Sequence, residues 1–363
     1  MRIAFLHFYT FRLPRGIETL IIGLANALAE KGEDVSIITA RPTIQPLTAP
    51  DRRIKIYAYP TFHYYEHLTI VPFYLSHFLF HKYDLVVAFF ADFGEGISVR
   101  LANRVRKLPL VLYLCYPYSS APHRYDSFRR YGWQSKARVI LADAAWVAEE
   151  AQTFFQLPVS VVPVGTDPVR FSPNAELRAE MRRKLDFTEK DLVLLNVSSL
   201  EHRKGVWRVI EAMGRLVHQF PDLKYFILGQ GASEQELRKL VADLGLDGRV
   251  IFGGTTPHLE SYYNMADIFV MLPDAEANSV ACHEAMSCAL PVVVSNSGGF
   301  AESVPPDAGF LVDQDDPAQI DSKLIELISD SQLRLQMGQA GRANVVSHLS
   351  WDQIAERFLK VVA

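Results

Sequence analysis

"MRIAFLHFYTFRLPRGIETLIIGLANALAEKGEDVSIITA", residues 1–40, decides the fold class. RIAFLHF reads as a buried strand, IETLIIGLANALAEKG as an amphipathic helix closed by Gly32, and DVSIITA as a second strand. Strand, helix and strand at this spacing form a βαβ unit, which calls for a parallel sheet with helices over its faces. Further short apolar runs, DLVVAFF (84–90), LVLYLCY (110–116) and AWVA (145–148), are expected to complete one doubly wound half.

The pattern then restarts. After VSVVPVGTDPVRFSP (159–173) comes a helical run, AELRAEMRRKLD. The strand candidates DLVLLNVSS (191–199), KYFILG (224–229), RVIFGG (249–254), DIFVML (267–272) and PVVVS (291–295) follow, with helices starting at Gly205 and Ser233. The expectation is an α/β protein of two Rossmann-like doubly wound domains, residues 1–164 and 165–345, facing a cleft. Ligands of such sheets bind at the carboxyl ends of the strands. Residues 346–363 close the chain with one more amphipathic helix, which either packs on its own domain or crosses back to the first.

The chain length of 363 residues fits two cores of this size. A net charge of −4 argues against a nucleic-acid partner held by phosphate contacts. Cys115, Cys282 and Cys288 make no disulfide framework, so a reducing cytoplasm is the expected compartment. The N-terminus does not read as a signal peptide, its apolar stretch being short and studded with Tyr, Thr and Arg. The nearest approach to a membrane span, residues 73–90, is broken by His77, His81, Lys82 and Asp84. The expected location is cytoplasmic, with peripheral contact at the inner membrane face left open.

The chemistry concentrates in PDAEANSVACHEAMSCALPVVVSNSGG, residues 273–299. The strand DIFVML ends at Pro273, so Asp274 to Asn278 lie in the loop at its carboxyl end. Asn278 or Ser279 is expected to cap a helix running to Ala289. The helical neighbours of Glu284 are small and mostly apolar, which points its carboxylate into a protected site. A helix N-terminus suits a phosphate, and a carboxylate one to two turns further along suits a diol such as ribose. On periodicity alone, a structural carboxylate bonded to backbone amides fits as well. DQDD (313–316) resembles a metal-binding run, but its place before a helix reads as a cap, and no cluster has metal-ligand spacing.

The E-x7-E pair Glu276 and Glu284, followed by EAM-S-C-A-LPVVVSNSGG, resembles the signature of retaining glycosyltransferases of family 4, also called group 1, which have the GT-B fold. Stretches like NVSSLEHRKG (196–205), FILGQGASEQELRKLVADLGLDGRVIFGG (226–254), YYNMADIFVMLP (262–273) and VVPVGTDPVRFSP occur in the same order, so the resemblance covers essentially the whole chain. It implies a transferase that moves a sugar from a nucleotide-diphosphate sugar to a glycan or lipid-linked acceptor hydroxyl, with retention and with no cofactor or metal. The implied catalytic residues are Glu276, beside the donor sugar, and Lys204, which neutralises the diphosphate. Glu284 would bind the ribose. The amides of Asn278, Ser279 and Val280 would meet sugar hydroxyls and phosphate, Gly16 would belong to the glycine loop, and Thr256 would lie near the nucleobase.

The chain departs from the family pattern in three places. Ser199 stands where an arginine usually partners the lysine, leaving Arg203 or His202 as substitutes. The loop after Glu276 reads Ala277-Asn278-Ser279 rather than being rich in glycine and aromatics. Cys115 stands where a histidine contacts the donor sugar, with His123 close enough in sequence to replace it. These departures admit a rival, a catalytically impaired GT-B protein that binds a nucleotide or sugar without transfer. A dinucleotide-dependent oxidoreductase does not fit, because FYTFRLPRGIE has one glycine and no G-x-G-x-x-G. The aromatic run over residues 56–80 reads either as core or as a sugar- or lipid-facing surface.

Overall fold

The computed structural model describes residues 1–12, 16–44, 49–61, 66–89, 93–123, 125–126 and 136–363. Phe90, the 13–15 part of the glycine loop and the aromatic residues 62–65 lie outside them. The chain divides into two compact units, Met1–Gly165 together with Trp351–Ala363, and Thr166–Ser350.

The first unit holds a sheet of β1 (Arg2–Leu6), β2 (Asp34–Ala40), β3 (Lys55–Tyr59), β4 (Leu85–Ala88), β5 (Leu110–Leu114), β6 (Ala137–Ala142) and β7 (Ser160–Val161). Their order across the sheet is β3-β2-β1-β4-β5-β6-β7, and the pairs are parallel. The run AWVA, expected as a strand, is instead the start of a helix, Ala145–Phe155; the neighbouring strand is Ala137–Ala142. Four apolar residues fit either structure, and here Ala144 turns the chain into the helix with its own extended backbone.

The last helix, Trp351–Val362, belongs to this first unit and packs on the helix Gly16–Glu30. Gly23 and Gly165 make room for the Trp351 indole: a Cβ on either would stand 2.2 Å and 2.6 Å from it. Lys31 adds ion pairs with Asp352 and Glu356 at 2.5 and 3.1 Å. In the aromatic stretch, Tyr74 and Phe78 are fully buried, Tyr57, Tyr59 and Phe73 are half-buried and Phe80 is 81% exposed, so its described rings serve the core only in part. His77, also buried, is bracketed by hydrogen bonds with the Tyr59 hydroxyl at 2.7 Å and the Tyr83 hydroxyl at 2.8 Å.

The second unit holds β8 (Leu192–Val197), β9 (Leu223–Leu228), β10 (Val250–Gly254), β11 (Ile268–Met271), β12 (Val292–Ser295) and β13 (Gly309–Val312). The order is β10-β9-β8-β11-β12-β13, again parallel. Alternate residues feed opposite cores: Val193, Leu195, Val292 and Val294 pack on one side, Leu194 and Val293 on the other. A sheet covered on both faces gives apolar runs rather than alternation, which is why these strands stood out in the sequence. The order reverses between β8 and β11, and the loops leaving those two strands flank the switch point.

Candidate active site at the β8–β11 switch point

The loop after β8 carries Ser199 to Gly205, and the loop after β11 carries Pro273 to Ser279. Three contacts fasten the two loops together. Asp274 N–H donates to the Arg203 carbonyl at 2.9 Å. Gly205, at φ +68°, lets the chain pass so close to the end of β11 that a Cβ there would lie 1.7 Å from the Leu272 carbonyl oxygen. Arg208, on the helix Val206–Leu216, donates to that carbonyl at 3.2 Å, to Asp274 Oδ1 at 2.9 Å and to Asp315 Oδ1 at 2.8 Å. The loops are therefore held in one register, and Lys204 Nζ meets Glu276 Oε2 at 2.5 Å. Both side chains are largely withdrawn from solvent.

Glu276 is also held through its backbone. Its carbonyl accepts from Gly299 N–H at 2.9 Å, and Gly298, at φ +62°, would place a Cβ 2.1 Å from the same oxygen. The SNSGG segment after β12 is thus shaped to support the Glu276 loop.

The helix after that loop runs Val280–Ser287, two residues short of the expected end at Ala289. Ala289 has φ +59°, a left-handed conformation that cannot continue a helix. Ser279 is the N-cap, its hydroxyl accepting from Cys282 N–H at 3.3 Å. In such a cap the first-turn amides keep no intrahelical acceptor and face outward from the helix end. Asn278 is half-buried beside it.

Glu284 lies on the buried side of this helix. The backbone amides considered in the sequence do not hold it; the Tyr263 hydroxyl does, donating to Oε2 at 2.9 Å. Burial pushes the Glu284 carboxyl up to about 7, against the opposing pull of the Tyr263 hydrogen bond and of Arg170, while Glu260 adds to the upward push. Arg170 is itself paired with Glu260 at 2.9 Å.

The second unit therefore contains Lys204, Glu276, Glu284, Asn278, Ser279, Val280, Ser199, Arg203 and Thr256. Contact brings Lys204 to Glu276. Arg203 turns its guanidinium to Glu201 at 2.8 Å near the surface, and His202 stacks on Trp207, ring centroids 5.4 Å apart. Both candidate substitutes for the family arginine at Ser199 are thus engaged elsewhere in this structure. Thr256 Oγ1 accepts from His258 N–H at 3.1 Å and serves the turn after β10. Asp313, Asp315 and Asp316 of the DQDD run serve a turn, Arg208 and a helix cap respectively. Gly16, Cys115 and His123 lie in the first unit: Gly16 opens its first helix, Cys115 follows β5 and His123 is exposed.

Tyr263, Arg208 and Gly298 were not singled out from the sequence. A tyrosine in YYNMADIF and an arginine one turn after Lys204 carry no signal that separates them from core and surface residues. Gly298 was detectable, since a Gly-Gly pair after a strand marks a turn or close approach.

Two doubly wound parallel sheets, one of them bearing a paired cation and carboxylate at its switch point, define a protein of the GT-B class. The solved structures agree on that fold: sucrose-phosphate synthase from Thermosynechococcus elongatus superimposes with a TM-score of 0.80 at 20% identity, covering 99% of this chain and 97% of that one. The Anabaena protein HepE in complex with UDP-glucose gives 0.81 at 19%, covering 99% and 98%. The model for glycosyl transferases group 1 matches residues 178–344, and that for Glycosyltransferase Family 4 matches residues 14–170. A GDP-mannose-dependent monoacylated alpha-(1-6)-phosphatidylinositol monomannoside mannosyltransferase of Corynebacterium glutamicum is 34% identical over 211 residues, 55% of this chain and 55% of the relative's length. The chain belongs to the group 1, family 4 glycosyltransferases. The aligned stretch spans only about half the length of that curated relative.

Proposed function

We propose that the protein transfers a sugar from a nucleoside diphosphate sugar to a hydroxyl of a glycan or lipid-linked acceptor. The observation that carries this reading is the Lys204–Glu276 pair at the β8–β11 switch point, beside the capped end of the Val280–Ser287 helix. The reaction breaks the bond between the anomeric carbon and the diphosphate oxygen and forms one to the acceptor oxygen. Charge gathers on the departing diphosphate, where the Lys204 ammonium and the first-turn amides of Val280 and its neighbours stabilise it. Glu276, released from Lys204 as the diphosphate takes the ammonium, faces the sugar. Glu284 accepts hydrogen bonds from the ribose.

The donor belongs to residues 165–345 in this reading and the acceptor to residues 1–164. The transfer retains configuration: the acceptor hydroxyl attacks from the face the diphosphate leaves, and its proton goes to the departing phosphate oxygen. Lys204 and the helix end supply the charge stabilisation, so the scheme calls for no metal. The name of the Corynebacterium glutamicum relative supports a lipid-linked acceptor and puts GDP-mannose first among donors to assay; the Anabaena complex adds UDP-glucose. Among the described residues no helix is long and apolar enough to cross a membrane. Peripheral work at the inner membrane face suits such an acceptor.

The test is a transfer assay with GDP-mannose and with UDP-glucose, offered simple glycoside and glycolipid acceptors. Acceptor-dependent release of nucleoside diphosphate, with the donor's anomeric configuration kept in the product, is expected. Tight nucleotide binding with no release and no product would replace transfer with binding alone.

A further inference from the structure

We infer that Tyr263 is the positioning residue of the donor site, its hydroxyl holding one oxygen of Glu284 so that the carboxylate presents the other to the hydroxyls of the nucleoside. The inference rests on the donor reading above and deepens it.

Tyr263 sits on the helix Leu259–Met265, fully buried, with its ring edge-on to Phe171 at 5.8 Å and tilted against Phe269 at 6.2 Å. Packing alone fixes where its hydroxyl points. Burial, with Glu284 beside it, raises the phenol well above its usual range, so it remains a donor. A phenol has one proton to give, and it gives it to Glu284 Oε2 at 2.9 Å. One carboxylate oxygen is thereby anchored and the plane of the group is set.

Among the described residues, the groups acting on the Glu284 carboxyl include Tyr263 and Glu260 from the Leu259–Met265 helix and Arg170 from the loop before it in sequence, with Cys288 close by at the end of the Val280–Ser287 helix and the buried His283 next to it in sequence. Arg170 donates to Glu260 and to the Pro257 carbonyl, and the Tyr263 hydroxyl donates directly to the Glu284 carboxylate. A buried carboxylate that gains a proton becomes a donor at one oxygen and keeps only part of its acceptor capacity, so it takes both hydroxyls of a diol less well. The Tyr263 hydrogen bond opposes that protonation, so the phenol supplies both orientation and charge state.

The test uses Tyr263→Phe, which keeps the ring and its contacts. Binding of GDP and UDP, and of their 2′-deoxy and 3′-deoxy forms, is measured by calorimetry from mildly acidic to mildly alkaline pH. The wild type should prefer the ribonucleotides. Tyr263→Phe should bind them roughly tenfold more weakly, the scale of one charge-assisted hydrogen bond. It should also discriminate less against the deoxy forms, and the midpoint of its pH dependence should move upward. A variant with unchanged discrimination and midpoint would show that Tyr263 only packs, overturning the inference while leaving Glu284 on the ribose. A wild type indifferent to the deoxy forms would overturn the ribose role itself and the inference with it. Glu284→Gln gives a second reading that does not depend on Tyr263→Phe folding: it should remove the pH dependence of binding, and a dependence that persists unchanged contradicts the inference.

Discussion

Lys204 and Glu276 are 72 residues apart in sequence and 2.5 Å apart in space, an ion pair formed where the sheet order reverses. In the proposed reaction a diphosphate entering this place would compete with Glu276 for the ammonium, and donor binding would open the pair. The backbone bond from Asp274 to Arg203 keeps the two loops together while it does so.

Replacing Lys204 by Met removes the cation and leaves Glu276 without its partner. Turnover should fall by about 10²–10³, the scale seen when one preorganised charge-stabilising group is lost. Steady-state kinetics with saturating donor will show it. A fall of less than threefold would move the leaving-group role to another residue.

Gly205→Ala and Gly298→Ala each force a Cβ into a carbonyl oxygen, that of Leu272 in one case and of Glu276 in the other, at positive φ. Each should cost roughly 1–3 kcal/mol, the scale of one strained backbone residue. Gly298→Ala should cost activity beyond its loss of stability, because the displaced carbonyl belongs to Glu276. Thermal melting paired with activity below the transition separates the two effects.

The first unit should weaken in acid through His77. Burial, together with the stacked His81, lowers the His77 pKa from 6.5 to about 4. A histidine held neutral in the fold binds fewer protons there than in the unfolded chain. Its contribution to stability is therefore complete above 6.5 and is lost as pH falls from there through about 4. Denaturant melts across that range should show the loss, and His77→Gln should flatten it.

The sequence disclosed the parallel architecture because its strands are covered on both faces and read as unbroken apolar runs. Its failures have local causes. AWVA is too short to distinguish strand from helix, and ARVILA, the true strand, carries Arg138 at its second position. Ala289 stops its helix through a backbone torsion that alanine composition does not announce. In the site, Glu284 is legible because a carboxylate in an apolar run needs a partner, and Glu276 through the E-x7-E resemblance. The partners themselves are not. Tyr263 reaches Glu284 from another helix, and Lys204 reaches Glu276 from another strand, so both pairings depend on strand order. No spacing within one element encodes them.

In the proposed donor site Glu284 would also link donor binding to pH. Its carboxyl is raised from 4.5 to about 7, so the fold favours the protonated form and the donor-free protein loses stability as pH rises from 4.5 through about 7. A ribose donating to the ionised carboxylate should reverse part of that loss and release protons on binding. Donor binding should therefore strengthen as pH rises through the same interval. Calorimetry in buffers of different ionisation enthalpy measures the proton release; its absence would separate Glu284 from the ligand.

The most direct measurement is the thermal stabilisation of the wild type and of Glu284→Ala by nucleoside diphosphates and their sugars. A ligand present at a hundred times its dissociation constant adds about 2.7 kcal/mol to the folded state. One nucleotide should stabilise the wild type clearly and Glu284→Ala far less. Equal stabilisation of the two proteins would contradict a donor site built around Glu284.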